Sequence, residues 1–398
     1  MSKPASSPAS SPALRLGLLY AVIFAGIGIA MPFMPLWLAS LSLEPGLIGA
    51  LVALPIAVKI LVTAPLTGLI DRGVGPRTLL VAGSLGLALT YALMPAAAGI
   101  GWPLLALVIA LNAVAGAPLV PAVDVLSLAA VRRDPRLAYA RIRLGGSLGF
   151  LAAALSGGWL LGLVGERAGA TAFLAALGLV SAAGCAVLAA REPQRDAAPA
   201  PASARIPLPA ALWLAMGAAA CLQASHAAVY AFGSIHWAAL GLSPAAIGAA
   251  WAVGVVAEIA FFALVPRLPS LRDAPFRLLA LGAGAALLRW AGLVVLADLP
   301  AAVLPLQVLH GLTFGATQLG AMGALSRLAP EGARGRAQGT YGAVAALGSA
   351  VATLASGAAV RAGGPVLAFA LMLPLAGLGL ALVAAAARRA PRPAVGSG

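Results

Sequence analysis

The chain has 398 residues, of which 62% are hydrophobic and 9% charged, with a mean hydropathy of +1.02. Too little polar surface remains to coat a water-soluble globule, which excludes soluble enzymes and binding domains and implies an all-α integral membrane protein. The formal net charge of +14 would suit nucleic acid, but 21 of the 25 Lys and Arg gather in alternate loops and at helix ends, which is the positive-inside pattern of a multi-pass membrane protein and places both termini in the cytoplasm.

Residues 1–13 are rich in Ser, Pro and Ala and are expected to form a disordered cytoplasmic tail. A crossing needs about 20 apolar residues. The apolar runs predict twelve transmembrane helices, at 14–41, 46–70, 78–99, 103–129, 143–164, 168–190, 208–238, 244–265, 275–297, 301–326, 338–360 and 364–387. The first is too long for a signal-peptide core and contains Pro32 and Pro35, so it is expected to be a retained helix. Arg191 to Pro207 is the one long polar interruption, which divides the chain into six-helix bundles at 14–190 and 208–388 joined by a cytoplasmic linker at 191–207, with a tail at 389–398. Anionic lipid headgroups are the expected partners of Arg132, Arg133, Arg136, Arg388, Arg389 and Arg392. Cys185 and Cys221 fall within spans and show neither metal spacing nor a disulfide framework.

The two halves look like copies of one another. Leu43-Glu44-Pro45-Gly46-Leu47-Ile48-Gly49-Ala50, running on to Lys59, matches Leu242-Ser243-Pro244-Ala245-Ala246-Ile247-Gly248-Ala249, running on to Glu258, at an offset of 199. Gly116/Gly315, Leu126/Leu325 and Ser127/Ser326 keep that offset. Lys59 and Glu258 are thus equivalent positions carrying opposite charges. Intramembrane charges are costly and mark cavities or transport paths, so the repeat points to a transporter. Gly145-Gly146-Ser147-Leu148-Gly149 lacks the strand and lysine of a phosphate loop and is read as a helix-packing face.

Within the spans, Lys59 lies about 14 residues into its helix, or ~21 Å at ~1.5 Å per residue, too deep to reach back to the outer surface. It is either an ion-pair partner of Glu258 or a cation for an anionic substrate. Glu258 is a candidate proton carrier, because desolvation and neighbouring cations shift a carboxyl in opposite directions. Arg289 offers a planar fork suited to a carboxylate, either Glu258 or a substrate. Gln223, His226 and Tyr230 share one helix face, and Gln307 and His310 share another; all five are candidates for substrate binding, and each histidine is also a candidate proton relay. Asp124 and Arg143 lie at the cytoplasmic ends of adjacent helices and suggest a gate or interhelical brace, with a proton-coupling role for Asp124 left open.

Twelve helices in two halves with a basic linker resemble a major facilitator superfamily transporter. The loop Gly68-Leu69-Ile70-Asp71-Arg72-Gly73-Val74-Gly75-Pro76-Arg77 is similar to that superfamily's Gly-x-Leu-Ala-Asp-Arg-x-Gly-Arg-Lys signature, which implies gate roles for Asp71 and Arg72. A narrower resemblance is to the phenylpropionate permease family. It is carried by Pro118–Asp124, Arg141–Ser147, Gln223–Ala228, Gly254–Glu258, Arg289-Trp290 and Gln307–His310. That resemblance implies proton-linked uptake of a small organic anion such as an aromatic carboxylate, by alternating access in a bacterial inner membrane. The Glu258, Arg289 and His310 set is also similar to the polar cluster of lactose permeases, except that Thr313 stands where those carry a second acid.

The expected partners are therefore a small-molecule substrate, protons and lipids, with the proton gradient as energy source, no cofactor, no metal and a monomeric state. The alternatives are a sugar or nucleoside symporter, a drug exporter, and a membrane receptor or membrane-embedded enzyme. The last is disfavoured by the lack of paired metal ligands or a nucleophile elbow.

Overall fold

The computed structural model describes residues 12–134, 136–189 and 206–390; most of the expected tails at either end and most of the expected linker lie outside these. Every regular element among the described residues is helical. The first half comprises α1 (Pro12–Ser40), α2 (Pro45–Thr67), α3 (Pro76–Ile100), α4 (Trp102–Gly116), α5 (Leu119–Arg133), α6 (Tyr139–Val164) and α7 (Glu166–Leu188). The second comprises α8 (Ala210–Ala224), α9 (Ser234–Ala239), α10 (Pro244–Leu264), α11 (Pro269–Arg272), α12 (Pro275–Val295), α13 (Val303–Val308), α14 (Thr317–Leu328), α15 (Arg334–Ala370) and α16 (Met372–Arg389).

Ten of these stretches are long and apolar enough to cross a membrane. Two more crossings are hidden by local geometry. Arg334–Arg389 runs for 56 residues but bends where Gly363 and Gly364 leave helical geometry, Gly364 at φ +78°, and Pro365 starts the next helix. The run from Val303 to Leu328 is split into α13, a π turn and α14, each too short to qualify. With these, the twelve apolar runs of the sequence are accounted for. Many large apolar side chains face outward, among them Leu61, Leu107, Trp159 and Val295, as lipid allows and water would not.

Helix starts follow the sequence. Proline opens α2, α3, α10 and α12, where its missing N–H is not needed. Ser243 caps α10 by accepting from the Ala246 N–H at 3.2 Å. Between α9 and α10, Gly241 at φ +87° closes a Schellman turn, its N–H on Ala238 O and the Leu242 N–H on Trp237 O.

The described chain divides into two compact units. One gathers the chain through Trp37 and then from Leu61 to the end of α7; the other gathers Leu38–Ile60 and everything from residue 206. The division falls inside α2, next to Lys59. In the first unit α3 packs on α4, α5 and α7, around a core that includes Leu19, Tyr20, Leu80, Leu119, Val123 and Ile142. There α6 lies backbone to backbone on α1: a Cβ at Gly149 would come within 2.6 Å of Ala21 Cα, so the glycine-rich start of α6 is a helix seat. In the second unit α8 packs on α14, α15 and α16, with small residues such as Ala215, Ala219, Ala321 and Ala386 at the contacts. The α2 segment of this unit meets α15 at Gly49 and Gly357, where either Cβ would clash with the opposite backbone.

Candidate functional site

In the second unit, polar side chains converge on Arg289 of α12, which is only 1% exposed. Its Nη1 donates to His310 Nδ1 at 3.2 Å and to Thr313 Oγ1 at 3.3 Å, and its Nη2 donates to Gln307 Oε1. Gln307 is held in turn by donating to Ala250 O at 3.1 Å. Trp290 lies beside the guanidinium, with Arg289 Cζ 4.9 Å from its ring centre, and is pinned through Nε1 to Ser225 Oγ at 3.1 Å. Arg289 Nε is buried without a hydrogen-bond partner. All of the acceptors on this fork are neutral, and among the described residues no carboxylate lies within ion-pair distance of it.

Two irregular helices present the histidines. Beyond α8, Ser225 and His226 form a tight turn and Val229–Gly233 opens into a π turn; on the other side Gly311–Ala316 is a π turn just after His310. Such widened turns redirect side chains and recur at functional sites. His226 has Nδ1 3.0 Å from Leu222 O and Nε2 3.0 Å from Thr313 Oγ1. His310 stacks on Phe314 and meets His226 edge-on, with centroids 5.4 and 5.5 Å apart. Tyr230 packs between His226 and Trp251. Glu258 Oε2 stands 4.0 Å from His310 Nε2. Gly311 makes this approach possible, since a Cβ there would come within 2.6 Å of the Ala257 carbonyl carbon.

The structure thus brings together His226, Tyr230, Glu258, Arg289, Gln307 and His310. Gln223 has the Tyr341 hydroxyl within hydrogen-bonding reach. Lys59 lies on an accessible face of α2, not sealed in packing. Sequence reasoning missed Thr313 as the hub and Ser225 as the anchor of Trp290. Thr313 was visible as a hydroxyl one turn after His310, at the place of an acid in a similar cluster.

The first unit holds a different cluster. Asp124 Oδ1 accepts from the hydroxyls of Tyr20 and Tyr139, the latter at 2.9 Å. Arg143 is not the partner of Asp124: its guanidinium lies over the rings of Phe24 at 4.1 Å and Tyr20 at 5.3 Å, with Gly146 leaving room beside it. The direct pairing expected from sequence is replaced because two phenols reach the carboxylate first and the aromatic rings hold the arginine. Asp71 and Arg72 are exposed in a tight turn, with Arg72 N–H on Leu69 O and Gly73 at φ +100°. Nearby, Arg15 and Arg77 donate to the last carbonyls of α7, Leu188 O and Ala186 O, where cations suit the helix dipole.

Comparison with known proteins agrees with this architecture. The chain is 32% identical over 346 residues to the Escherichia coli (strain K12) protein named "Probable 3-phenylpropionic acid transporter", covering 84% of this chain and 87% of that protein. Its fold is similar to that of the nucleoside transporter NupG, with TM-score 0.74 at 18% identity over 95% of this chain and 99% of that one. It is also similar to a bacterial homolog of the human lysosomal transporter Spinster in an inward-facing and occupied conformation, with TM-score 0.72 at 17% identity, over 97% of this chain and 98% of that one. The family model described as "MFS_1 like family" matches residues 13–371, and the chain belongs to that family of major facilitator transporters, as a multi-pass membrane protein.

Proposed function

We propose that this transporter carries a small organic anion of the 3-phenylpropionate type inward together with protons, by alternating access. It works as a monomer in a bacterial inner membrane with both termini cytoplasmic, draws on the proton gradient and needs no bound cofactor or metal. The observation that carries the anion is Arg289, a buried permanent cation whose acceptors are all neutral. A buried charge without its opposite is costly, and a substrate carboxylate on the guanidinium fork would supply it. The half-buried rings of Tyr230 and Phe314 offer an aromatic tail a stacking surface. The name of the 32%-identical relative supports the same substrate class. Lys59 is a second cation for the anion, and Gln223, His226, Gln307 and His310 complete the polar lining.

Glu258, 19% exposed beside His310, is the carboxyl of this cluster best placed to exchange protons with water. Asp124, Arg143, Asp71 and Arg72 are assigned to gating, with Asp124 as a second titratable site. Proteoliposomes given an imposed inward proton gradient test the reading through uptake of 3-phenylpropionate. Accumulation that collapses with the gradient is expected. Uptake indifferent to the gradient rejects coupling, no uptake rejects the substrate, and inhibition by neutral sugars or nucleosides but not by carboxylates turns the assignment to a sugar or nucleoside symporter.

A further inference from the structure

The hydrogen-bond directions around Thr313 distinguish the two histidines. Leu222 O can only accept, so His226 Nδ1 carries a hydrogen and, in the neutral ring, Nε2 is bare and accepts from the Thr313 hydroxyl at 3.0 Å. Arg289 can only donate, so His310 Nδ1 is bare and its hydrogen lies on Nε2, toward Glu258. A proton added to His310 Nδ1 would set N–H against N–H and break the contact with Arg289. A proton added to His226 Nε2 meets a partner that can adapt. The Thr313 oxygen turns to accept it, and the hydroxyl hydrogen swings to His310 O, which already lies 3.3 Å away.

Charge sets the condition. His226 and Arg289 share the same hydroxyl, so a cationic imidazole stands next to a buried guanidinium and is opposed by it until an anion arrives. The charged and titratable groups around His226 are Tyr230 one turn on in the same span, Glu258 of α10 at the far nitrogen of His310, Arg289 of α12, and His310 itself. Glu258 approaches His310 Nε2 at 4.0 Å, whereas Arg289 shares the Thr313 hydroxyl with His226 directly.

We propose that His226 is the site that holds the co-transported proton while a carboxylate occupies Arg289, and that Thr313 is the positioning residue whose reversible hydroxyl makes this possible. The proton comes from solution and adds to Nε2; no bond to the substrate forms or breaks. Anion and proton then bind as a pair, each tightening the other by the same factor. This rests on the anion reading of Arg289 above.

The test is calorimetric titration of the detergent-purified full chain with 3-phenylpropionate near neutral pH, in buffers of different protonation enthalpy, which yields protons taken up per anion bound. The native chain is expected to take up close to one proton per anion, Thr313→Ser to keep that value, and Thr313→Val to lose most of it, because a buried Nε2–H would lack an acceptor. His226→Gln is expected to bind the anion with almost no proton uptake. Where His226→Gln is not recovered as a monodisperse protein, the Thr313 pair decides. Binding by the native chain without proton uptake, uptake that survives His226→Gln, or uptake abolished by Glu258→Gln alone overturns the proposal and leaves the anion reading standing. An absence of binding to the native chain overturns both.

Discussion

The two units each bury a polar cluster, but with opposite logic. Around Arg289 a permanent cation is met by an imidazole, a hydroxyl and an amide oxygen, all neutral. Around Asp124 an acid is met by two phenolic donors, while the nearby Arg143 is held by aromatic faces. Arginine does not discharge itself, so in the proposed function its cluster is completed by an incoming anion. A carboxyl can be neutralised by a proton without leaving its neighbours, so the Asp124 cluster is complete as it stands. Under the proposed function, the difference gives substrate affinity to the second unit and a structural or gating task to the first.

The sharpest way to break that division is at Arg289. Arg289→Lys keeps the charge but loses the planar fork and the bonds to His310, Thr313 and Gln307. Hydrogen bonds to a charged group are worth about 1.5–3 kcal/mol, and ~1.4 kcal/mol is tenfold in affinity, so anion binding should weaken by roughly one to two orders of magnitude. Equilibrium binding of 3-phenylpropionate measures it, and a change of less than about fivefold, against the ~1.4 kcal/mol per decade scale, would place the anion elsewhere. Asp124→Asn is the complementary break. It keeps the shape but turns two charge-assisted hydrogen bonds into neutral ones, so stability should fall by about 1–3 kcal/mol. Anion affinity should change by less than about twofold, well under the ~1.4 kcal/mol of a decade. An affinity loss like that of Arg289→Lys would dissolve the contrast between the units.

Much of this was legible in the sequence, and the limits are instructive. Glu258, Arg289 and His310 stand out because charge and imidazole are rare in apolar runs, and helical spacing alone places Gln307 with His310. Spacing cannot say how helices are turned, so the meeting of His226 with Thr313 across 87 positions was invisible. The two π turns shift the faces that a regular period would assign. Tyr139 escapes for a simpler reason: the fifth apolar run begins at residue 143, whereas α6 begins at Tyr139 and carries both Tyr139 and Arg143. Tyr20 gave no signal beyond being one more aromatic residue in an apolar helix.

A milder perturbation tests how the Arg289 cluster is held. Gly311 lets the π turn rest on the α10 backbone at Ala257, next to Glu258. Gly311→Ala has no room for its methyl, so the turn must move away from α10 and carry His310 with it. Overpacking of this kind costs about 1–3 kcal/mol. The variant should lose thermal stability and bind the anion several-fold more weakly, while Gly149→Ala in the first unit, which meets the α1 backbone as closely, should lose stability without losing affinity. Paired melting and binding curves for the two variants separate these outcomes, and equal loss of affinity in both would mean that the cluster responds to packing anywhere in the chain.

The smallest effect concerns the repeat itself. Ser42 and Gly241 are equivalent at the offset of 199, and both adopt left-handed backbone, at φ +58° and +87°. Glycine takes that conformation freely, whereas an L-residue with a Cβ there is strained by about 1 kcal/mol. Part of that is returned on substitution to glycine, because glycine makes the unfolded chain more flexible. Ser42→Gly should therefore stabilise by a few tenths to about 1 kcal/mol, raising the melting midpoint by roughly 1–3 °C, and Gly241→Ser should lower it by a similar amount. If Ser42→Gly destabilises instead, the Ser42 side chain contributes more to its turn than the strain costs, and the two copies of the turn have diverged in what holds them closed.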